Sequence, residues 1–79
     1  MGKVLADGIE FDVQDYLEDA MSAQPALIEA RNQQGHALCL CTTPPRKLVI
    51  REVNEVLFLA VWPHDGHHHD PGCEFYRQG

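Results

Sequence analysis

The chain is short and acidic, and these two properties exclude or disfavour several classes of protein. It has 79 residues and a formal net charge of −6, so it makes one domain at most, and a chain of this length buries only about 60% of its unfolded surface. An acidic chain repels the phosphate backbones of nucleic acids. Its longest strongly apolar run, residues 56–62, is far shorter than the roughly 20 residues needed to span a bilayer. We therefore expect one small soluble domain over residues 1–79. A core this small needs additional stabilisation, such as disulfide bonds or a bound metal ion.

The N-terminal part of the sequence predicts a hairpin followed by helices. Two short apolar segments flank Asp7-Gly8, which is typical of a tight β-hairpin turn. Asp12 can cap a helix that runs to about Ala23. Apolar residues recur at helical spacing along this segment, which predicts a buried face formed by Val13, Tyr16, Leu17, Ala20 and Met21.

A second helix is predicted from Ala26 to about Gln33. Pro25 suits the first turn of a helix, and Gly35 marks its end. No internal repeat accompanies these helices, so the sequence predicts two successive N-terminal helices in a single unit.

After Gly35 the pattern changes to that of β-strands. Residues 36–41 alternate, with Leu38 and Leu40 on one face and Cys39 and Cys41 on the other. Residues 47–53 are rich in β-branched side chains, and residues 56–62 form a third run that ends at Pro63. Together these runs predict a three-stranded antiparallel meander, and the fold class is α+β.

Three cysteines form an unsuitable set for disulfides, because one is always left over. Cys39 and Cys41 lie two residues apart on a strand, about 6 to 7 Å from each other at the backbone, so their sulfurs can share one ion. A second pair, His69 and Cys73, is separated by a Pro-Gly turn that lets both side chains face inward. Zinc commonly takes such a closed Cys3His set. The predicted metal ligands are therefore Cys39, Cys41, His69 and Cys73.

Other interpretations of the same residues stay open at this point. Free cysteine is among the most buried residue types, so Cys39 and Cys41 could be small core residues. The histidine run could be an exposed polar loop, and His64, His67 or His68 could replace His69 as the fourth ligand. A spare histidine could instead orient a ligand.

The stretch from about Ala30 to Tyr76 resembles a known family. The motifs that carry the resemblance are Leu38-Cys39-Leu40-Cys41, the two strands after it, the segment 62–66 and the closing segment 69–76. They resemble the amino-terminal part of an uncharacterised bacterial family of longer proteins, which are commonly encoded on plasmids and integrative mobile elements. The resemblance implies metal positions at Cys39, Cys41, His69 and Cys73, and it raises the hypothesis that the chain is a fragment of a larger protein.

A more distant resemblance is to SWIM-type zinc fingers, which also begin with Cys-x-Cys. Those fingers close with Cys-x-His, whereas here the histidine precedes the cysteine. Their binding properties are therefore not transferred to this chain.

The function that the sequence predicts is a structural zinc domain acting as a protein-interaction module. Four protein ligands close a zinc site, which favours a structural role over an enzyme. Free thiols and the absence of an export signal at the acidic N-terminus favour a reducing cytoplasm.

Two alternatives come from other classes of function. The first is a nucleic-acid-binding zinc module that uses the basic residues Arg46, Lys47, Arg51 and Arg77. The second is a zinc-dependent hydrolytic enzyme, in which the three cysteines alone hold the metal and a zinc-bound water lies near His67, His68 and Glu74.

Overall fold

The sheet of this protein has five strands, all antiparallel. A computed structural model of the chain describes residues 2–78 and shows the strand order β2-β1-β3-β4-β5. The strands are β1 (Lys3–Ala6), β2 (Ile9–Asp12), β3 (Ala37–Cys39), β4 (Arg46–Val53) and β5 (Val56–Val61). Helices accompany the sheet, so the predicted α+β class is confirmed.

The N-terminal hairpin is part of this sheet. Asp7 and Gly8 both have positive φ, 51° and 75°, as the favoured two-residue hairpin turn requires. β1 also pairs with β3, where Val4 lies opposite Cys39 and Leu5 lies opposite Leu38. The prediction of a three-stranded meander is therefore wrong, because residue periodicity does not report the long-range pairing that adds the hairpin to the sheet.

The helical region differs from the predicted two N-terminal helices. α1 (Val13–Glu18) begins where the Asp12 side chain accepts a hydrogen bond from the Gln14 backbone N–H at 3.0 Å. It ends at Asp19, whose φ of −149° is not helical, and a short 3-10 helix (Ala20–Ala23) follows directly. α2 (Gln24–Gln33) then begins two residues before the predicted start. The prediction of one helix running to about Ala23 is wrong.

The break after Glu18 changes which side chains are buried. Val13 and Tyr16 lie in the core as predicted, but Leu17 and Met21 are 57% and 62% exposed. A 3-10 helix has three residues per turn and not 3.6, so the apolar stripe does not continue across the break to Met21. Leu17 lies before the break, within α1, on the side of the helix that faces solvent. The end of α2 follows the prediction, since Gly35 has a φ of 80° and its N–H donates to the Ala30 carbonyl at 2.9 Å.

The core lies between the helices and one face of the sheet. Leu27 of α2 is completely buried, as are Val4, Cys39 and Leu48 on three strands. Because side chains alternate along a strand, the residues between the buried ones project to the opposite face. We call this second face the outer face; it carries Leu5, Leu38, Lys47, Val49, Arg51, Phe58, Ala60 and, just after β5, Trp62. No helix within residues 2–78 is long and apolar enough to cross a membrane.

Candidate metal centre

The topology of the sheet brings the two halves of the predicted site together. β3 and β5 both run antiparallel to β4, so their C-terminal ends lie at the same end of the sheet. Cys39 is opposite Arg46 and Val61 is opposite Leu48. The chain after β5 therefore starts close to the paired cysteines and has only a short distance to travel.

A partly buried ion pair holds the returning segment against β4. The Arg46 guanidinium donates to both carboxylate oxygens of Asp65, with Nε 2.9 Å from Oδ2. Asp65 is only 8% exposed, and it immediately precedes a 3-10 helix (Gly66–His68). The hydrogen bonds from Arg46 hold the pKa of the Asp65 carboxyl below its usual range. The pair fixes the start of the segment that supplies His69 and Cys73.

Four potential metal-ligand atoms converge at this end of the sheet. One atom from each of Cys39, Cys41, His69 and Cys73 lies within 4.8 Å of all the others. The Cys39 and Cys73 sulfurs are 3.5 Å apart. His69 Nδ1 lies 3.3 Å from the Cys41 sulfur and 3.9 Å from the Cys73 sulfur.

The cluster is mostly shielded from solvent. Cys39, His69 and Cys73 are buried, with exposures of 0%, 2% and 7%, while Cys41 is half-buried. Burial raises the pKa of the Cys39 and Cys73 thiols and lowers the pKa of His69. The imidazole is therefore neutral at physiological pH, which is the form that binds metals.

Backbone N–H groups point at two of the sulfurs. The Asp70 N–H donates to the Cys41 sulfur and the Phe75 N–H donates to the Cys73 sulfur, each at 3.4 Å. Hydrogen bonds of this kind stabilise metal-bound thiolates. Phe75 is itself a core residue, so the packing of the fold positions one of these donors.

The dimensions of the cluster fit a tetrahedral metal ion. Metal–ligand bonds of about 2.0–2.3 Å in a tetrahedron place the ligand atoms roughly 3.5 Å from each other, which is close to the separations observed here. All three cysteines are free thiols, and a 3.5 Å sulfur–sulfur separation is far longer than a disulfide bond of about 2.05 Å. The four residues can therefore bind one metal ion.

The other histidines of the run lie outside this cluster. His64, His67 and His68 are exposed, whereas His69 is the buried member with a nitrogen facing the sulfurs. Its other ring nitrogen, Nε2, is buried and has no hydrogen-bond partner within residues 2–78.

The basic residues expected in a nucleic-acid module are not equivalent in the structure. Arg46 is held by Asp65, and Arg77 donates to the backbone carbonyls of Glu74 and Tyr76. Lys47 and Arg51 project from the outer face. The sequence reasoning missed the role of Asp65, and the only signal for it was its position between the last strand and the histidines.

Comparison with known proteins supplies a family but no activity. The model of a family described as "Protein of unknown function (DUF1173)" matches residues 11–79. No curated protein and no solved structure matches the chain. The match covers both halves of the metal cluster and all of the sheet except β1 and the start of β2. The chain therefore belongs to the DUF1173 family, whose function is unknown.

Proposed function

We propose that this chain is a structural zinc-binding domain, in which Cys39, Cys41, His69 and Cys73 hold one zinc ion. The observation that supports this most strongly is the convergence of the four ligand atoms within 4.8 Å in a mostly buried site. Two of these residues are on or next to β3 and two are in the C-terminal segment, so their meeting is a property of the whole fold.

The donor set favours zinc over other common metals. Three thiolates and one imidazole are soft to borderline ligands, and zinc has no geometric preference that a tetrahedral site would violate. Calcium and magnesium take oxygen ligands, and the cluster contains none. With three thiolates and one Zn²⁺, the site carries a net charge of about −1.

A structural role fits this site better than catalysis. Four protein ligands complete a tetrahedron, whereas a catalytic zinc keeps one position for water or substrate. The residues considered for hydrolysis, His67, His68 and Glu74, are all exposed. In our proposal the ion joins the end of β3 to the C-terminal segment and stabilises a core that is small for an independent domain.

The domain is further proposed to act as an interaction module for a protein partner or for the remainder of a longer chain. The support for a protein contact is on the helical side, where Leu17, Met21 and Ile28 are 57%, 62% and 45% exposed. A reducing compartment such as the cytoplasm would keep the three thiols available for metal.

The direct test is the metal content of the purified chain. Inductively coupled plasma mass spectrometry should find one zinc per chain, and replacement by Co²⁺ should produce the visible absorption of a tetrahedral thiolate site. A folded chain that contains no metal and binds none on titration would contradict the proposal.

A further inference from the structure

The outer face of the sheet is not covered by any helix within residues 2–78. Two aromatic side chains are exposed on this side, Phe58 at 38% and Trp62 at 36%. A sheet in a small domain normally packs one face on a core and leaves the other polar. The solvated face of this sheet thus carries two aromatic rings, each more than a third exposed and so accessible to a ligand.

The aromatic rings are matched with cations on the neighbouring strand. Arg51 of β4 lies directly opposite Phe58 of β5, and the Lys47 ammonium lies 5.4 Å from the centre of the Trp62 ring. Phe58 and Trp62 are four residues apart, which is about 13 Å along an extended strand. Between the two pairs lie Val49 and Ala60, which are opposite each other and half-buried. The face thus presents one cation–π contact, between Lys47 and Trp62, and one arginine opposite an aromatic residue, with small side chains between them.

The charges of the chain are separated between its two sides. The acidic residues on the strands are engaged: Glu10 pairs with Lys3, Asp12 caps α1, and Glu52 pairs with Arg31. Neither Lys47 nor Arg51 forms an ion pair within the described residues. The helical side, in contrast, carries Asp15, Glu18, Asp19 and Glu29. Lys47 and Arg51 therefore place two cations without an acidic partner among residues 2–78 beside the exposed aromatic rings.

We propose that the outer face binds single-stranded nucleic acid. Bases stack on exposed aromatic rings irrespective of sequence, while neighbouring cations contact the phosphates. Phe58 and Trp62 would each stack one base, and Arg51 and Lys47 would contact the backbone. The bases of a duplex are already stacked on each other, so the face selects single strands. The outer face is separate from the metal centre, so the proposed binding does not depend on which metal is bound.

Two other occupants fit this surface less well. A second copy packed face to face would bring Lys47 and Arg51 close to their own equivalents, which is unfavourable for like charges. Addition of a peptide strand to the edge at β5 is obstructed, because the Gln24 side chain already bonds both the N–H and the carbonyl of Leu57, at 2.8 and 2.9 Å. The Leu59 N–H on the same edge is also occupied, because it donates to the Tyr16 hydroxyl at 2.8 Å.

The test is a titration of the metal-loaded chain with a fluorescein-labelled ten-nucleotide oligothymidylate at about 50 mM salt. Trp62 is the single tryptophan, so its fluorescence reports directly on this face and should be quenched, while the anisotropy of the label rises. Two phosphate contacts predict a slope of about −1.4 for log K against log salt, or about sevenfold weaker binding at 200 mM than at 50 mM. A duplex of the same length should not displace the single strand.

Matched variants locate the binding surface. Phe58→Ala should weaken binding about 5- to 150-fold, the range expected for loss of one stacked base, and Phe58→Tyr should restore it. Leu17→Ala is the apolar control on the helical side and should change binding by less than twofold. Arg51→Gln should weaken binding and reduce the salt slope by about 0.7, whereas the same change at Arg31 should not.

Four results would each overturn the proposal. One is the absence of both quenching and anisotropy change up to millimolar oligonucleotide. Another is equal binding of duplex, or equal effects of Arg51→Gln and Arg31→Gln, since either indicates non-specific attraction. The last is concentration-dependent dimerisation in sedimentation velocity that Phe58→Ala abolishes, because the face would then contact a second copy. None of these results bears on the zinc content, so a failure here is distinguishable from a failure of the metal site.

Discussion

His69 illustrates how the environment of one side chain selects a ligand among chemically identical neighbours. Three histidines are consecutive in the chain, and a fourth, His64, lies close by. Only at position 69 does the backbone turn the ring inward, after the 3-10 helix Gly66–His68 ends. The ring is then 2% exposed, with Nδ1 facing the sulfurs of Cys41 and Cys73. Its burial, and not its residue type, distinguishes it from the other histidines as the proposed ligand.

Replacement of His69 tests whether it is a metal ligand or only part of an exposed polar loop. His69→Ala removes the only nitrogen donor of the cluster, so we expect the zinc content to fall well below one per chain and the affinity to drop by orders of magnitude. His68→Ala is the matched control, because His68 is exposed and adjacent, and it should keep the metal. Measurement of both proteins by mass spectrometry and by competition with a chelator checks the prediction. Equal zinc content in the two variants would rule out His69 as a ligand.

Asp65 is not one of the proposed metal ligands; it positions the segment that contains two of them. It binds Arg46 and so fixes the start of the segment that carries His69 and Cys73. We expect Asp65→Asn to accelerate zinc transfer to a chelator, since the loop opens more often when this pair is weakened. In a double-mutant cycle, Arg46→Gln should add little to the effect of Asp65→Asn, because both changes break the same pair.

The pH dependence of this effect follows from the pKa of Asp65. Arg46 lowers that pKa from its ordinary value, so the stabilisation is complete above the unfolded value of about 3.9 and is lost only as the pH falls through the folded pKa. The ratio of the zinc-release rates of Asp65→Asn and the natural chain should therefore stay constant between about pH 8 and pH 5. A ratio that declines within this window would show that the ion pair does not position the loop.

At the scale of elements, the protection of β5 shows how helices and sheet depend on each other. β5 is an edge strand, and unpaired edges invite pairing with other chains. Gln24, at the start of α2, satisfies the edge groups of Leu57 in the way a neighbouring strand would, and Tyr16 of α1 bonds Leu59. The break between α1 and α2 allows both helices to reach this edge.

Gln24→Ala should therefore destabilise the domain and expose its edge. Three side-chain hydrogen bonds to the backbone are lost, two with Leu57 and one with the Ala20 carbonyl, which corresponds to about 3 kcal/mol in the free energy of unfolding. Chemical denaturation of the zinc-loaded protein measures this difference, and light scattering should detect increased self-association. Gln33→Ala, at the exposed end of the same helix, is the control and should be close to neutral. Equal stabilities of the two variants would exclude a role of Gln24 at the edge.

At the scale of the whole molecule, the metal centre and the core are continuous. Cys39, Cys73 and Phe75 belong to the same buried cluster as the residues beneath the helices. Between β5 and residue 78, the part of this segment that the structure describes, the one regular element is the 3-10 helix Gly66–His68. Its order depends on the ion pair at Asp65, on the packing of Phe75 and, in our proposal, on the metal.

Removal of the metal should loosen this segment first. A ligand that binds only the folded state adds about 4 kcal/mol when its free concentration is about 1,000 times Kd, so chelation should lower the melting temperature substantially. Hydrogen exchange followed by mass spectrometry should then show faster exchange in residues 62–78 and 40–42 than in β4 and β5. Uniform acceleration throughout the chain would instead indicate that the sheet does not persist without metal. No change after chelation would contradict a structural metal.

The sequence by itself determined the local features of this protein. Helix caps, turn residues and alternating strands depend on neighbours in the chain, and so Asp12, the Asp7-Gly8 turn and Gly35 occur where their chemistry predicts. The four residues of the metal cluster were also identifiable, because ligand type and spacing are local properties of Cys39-x-Cys41 and of His69-x-x-x-Cys73. What they bind, and whether they bind it, remains a proposal.

Only the tertiary structure decided how these parts are joined. The pairing of β1 with β3 and the Arg46–Asp65 ion pair join residues that are far apart in the sequence. The end of α1 at Glu18 is likewise visible only in the structure. The outer face is a further example, because Lys47 and Trp62 become neighbours only through the register of β4 and β5. Non-local contacts of this kind leave no periodic trace in a single sequence, which is why the predictions of the meander and of the long first helix are wrong. The structure shows that the four predicted ligand residues lie close together, and their binding of a metal stays a prediction.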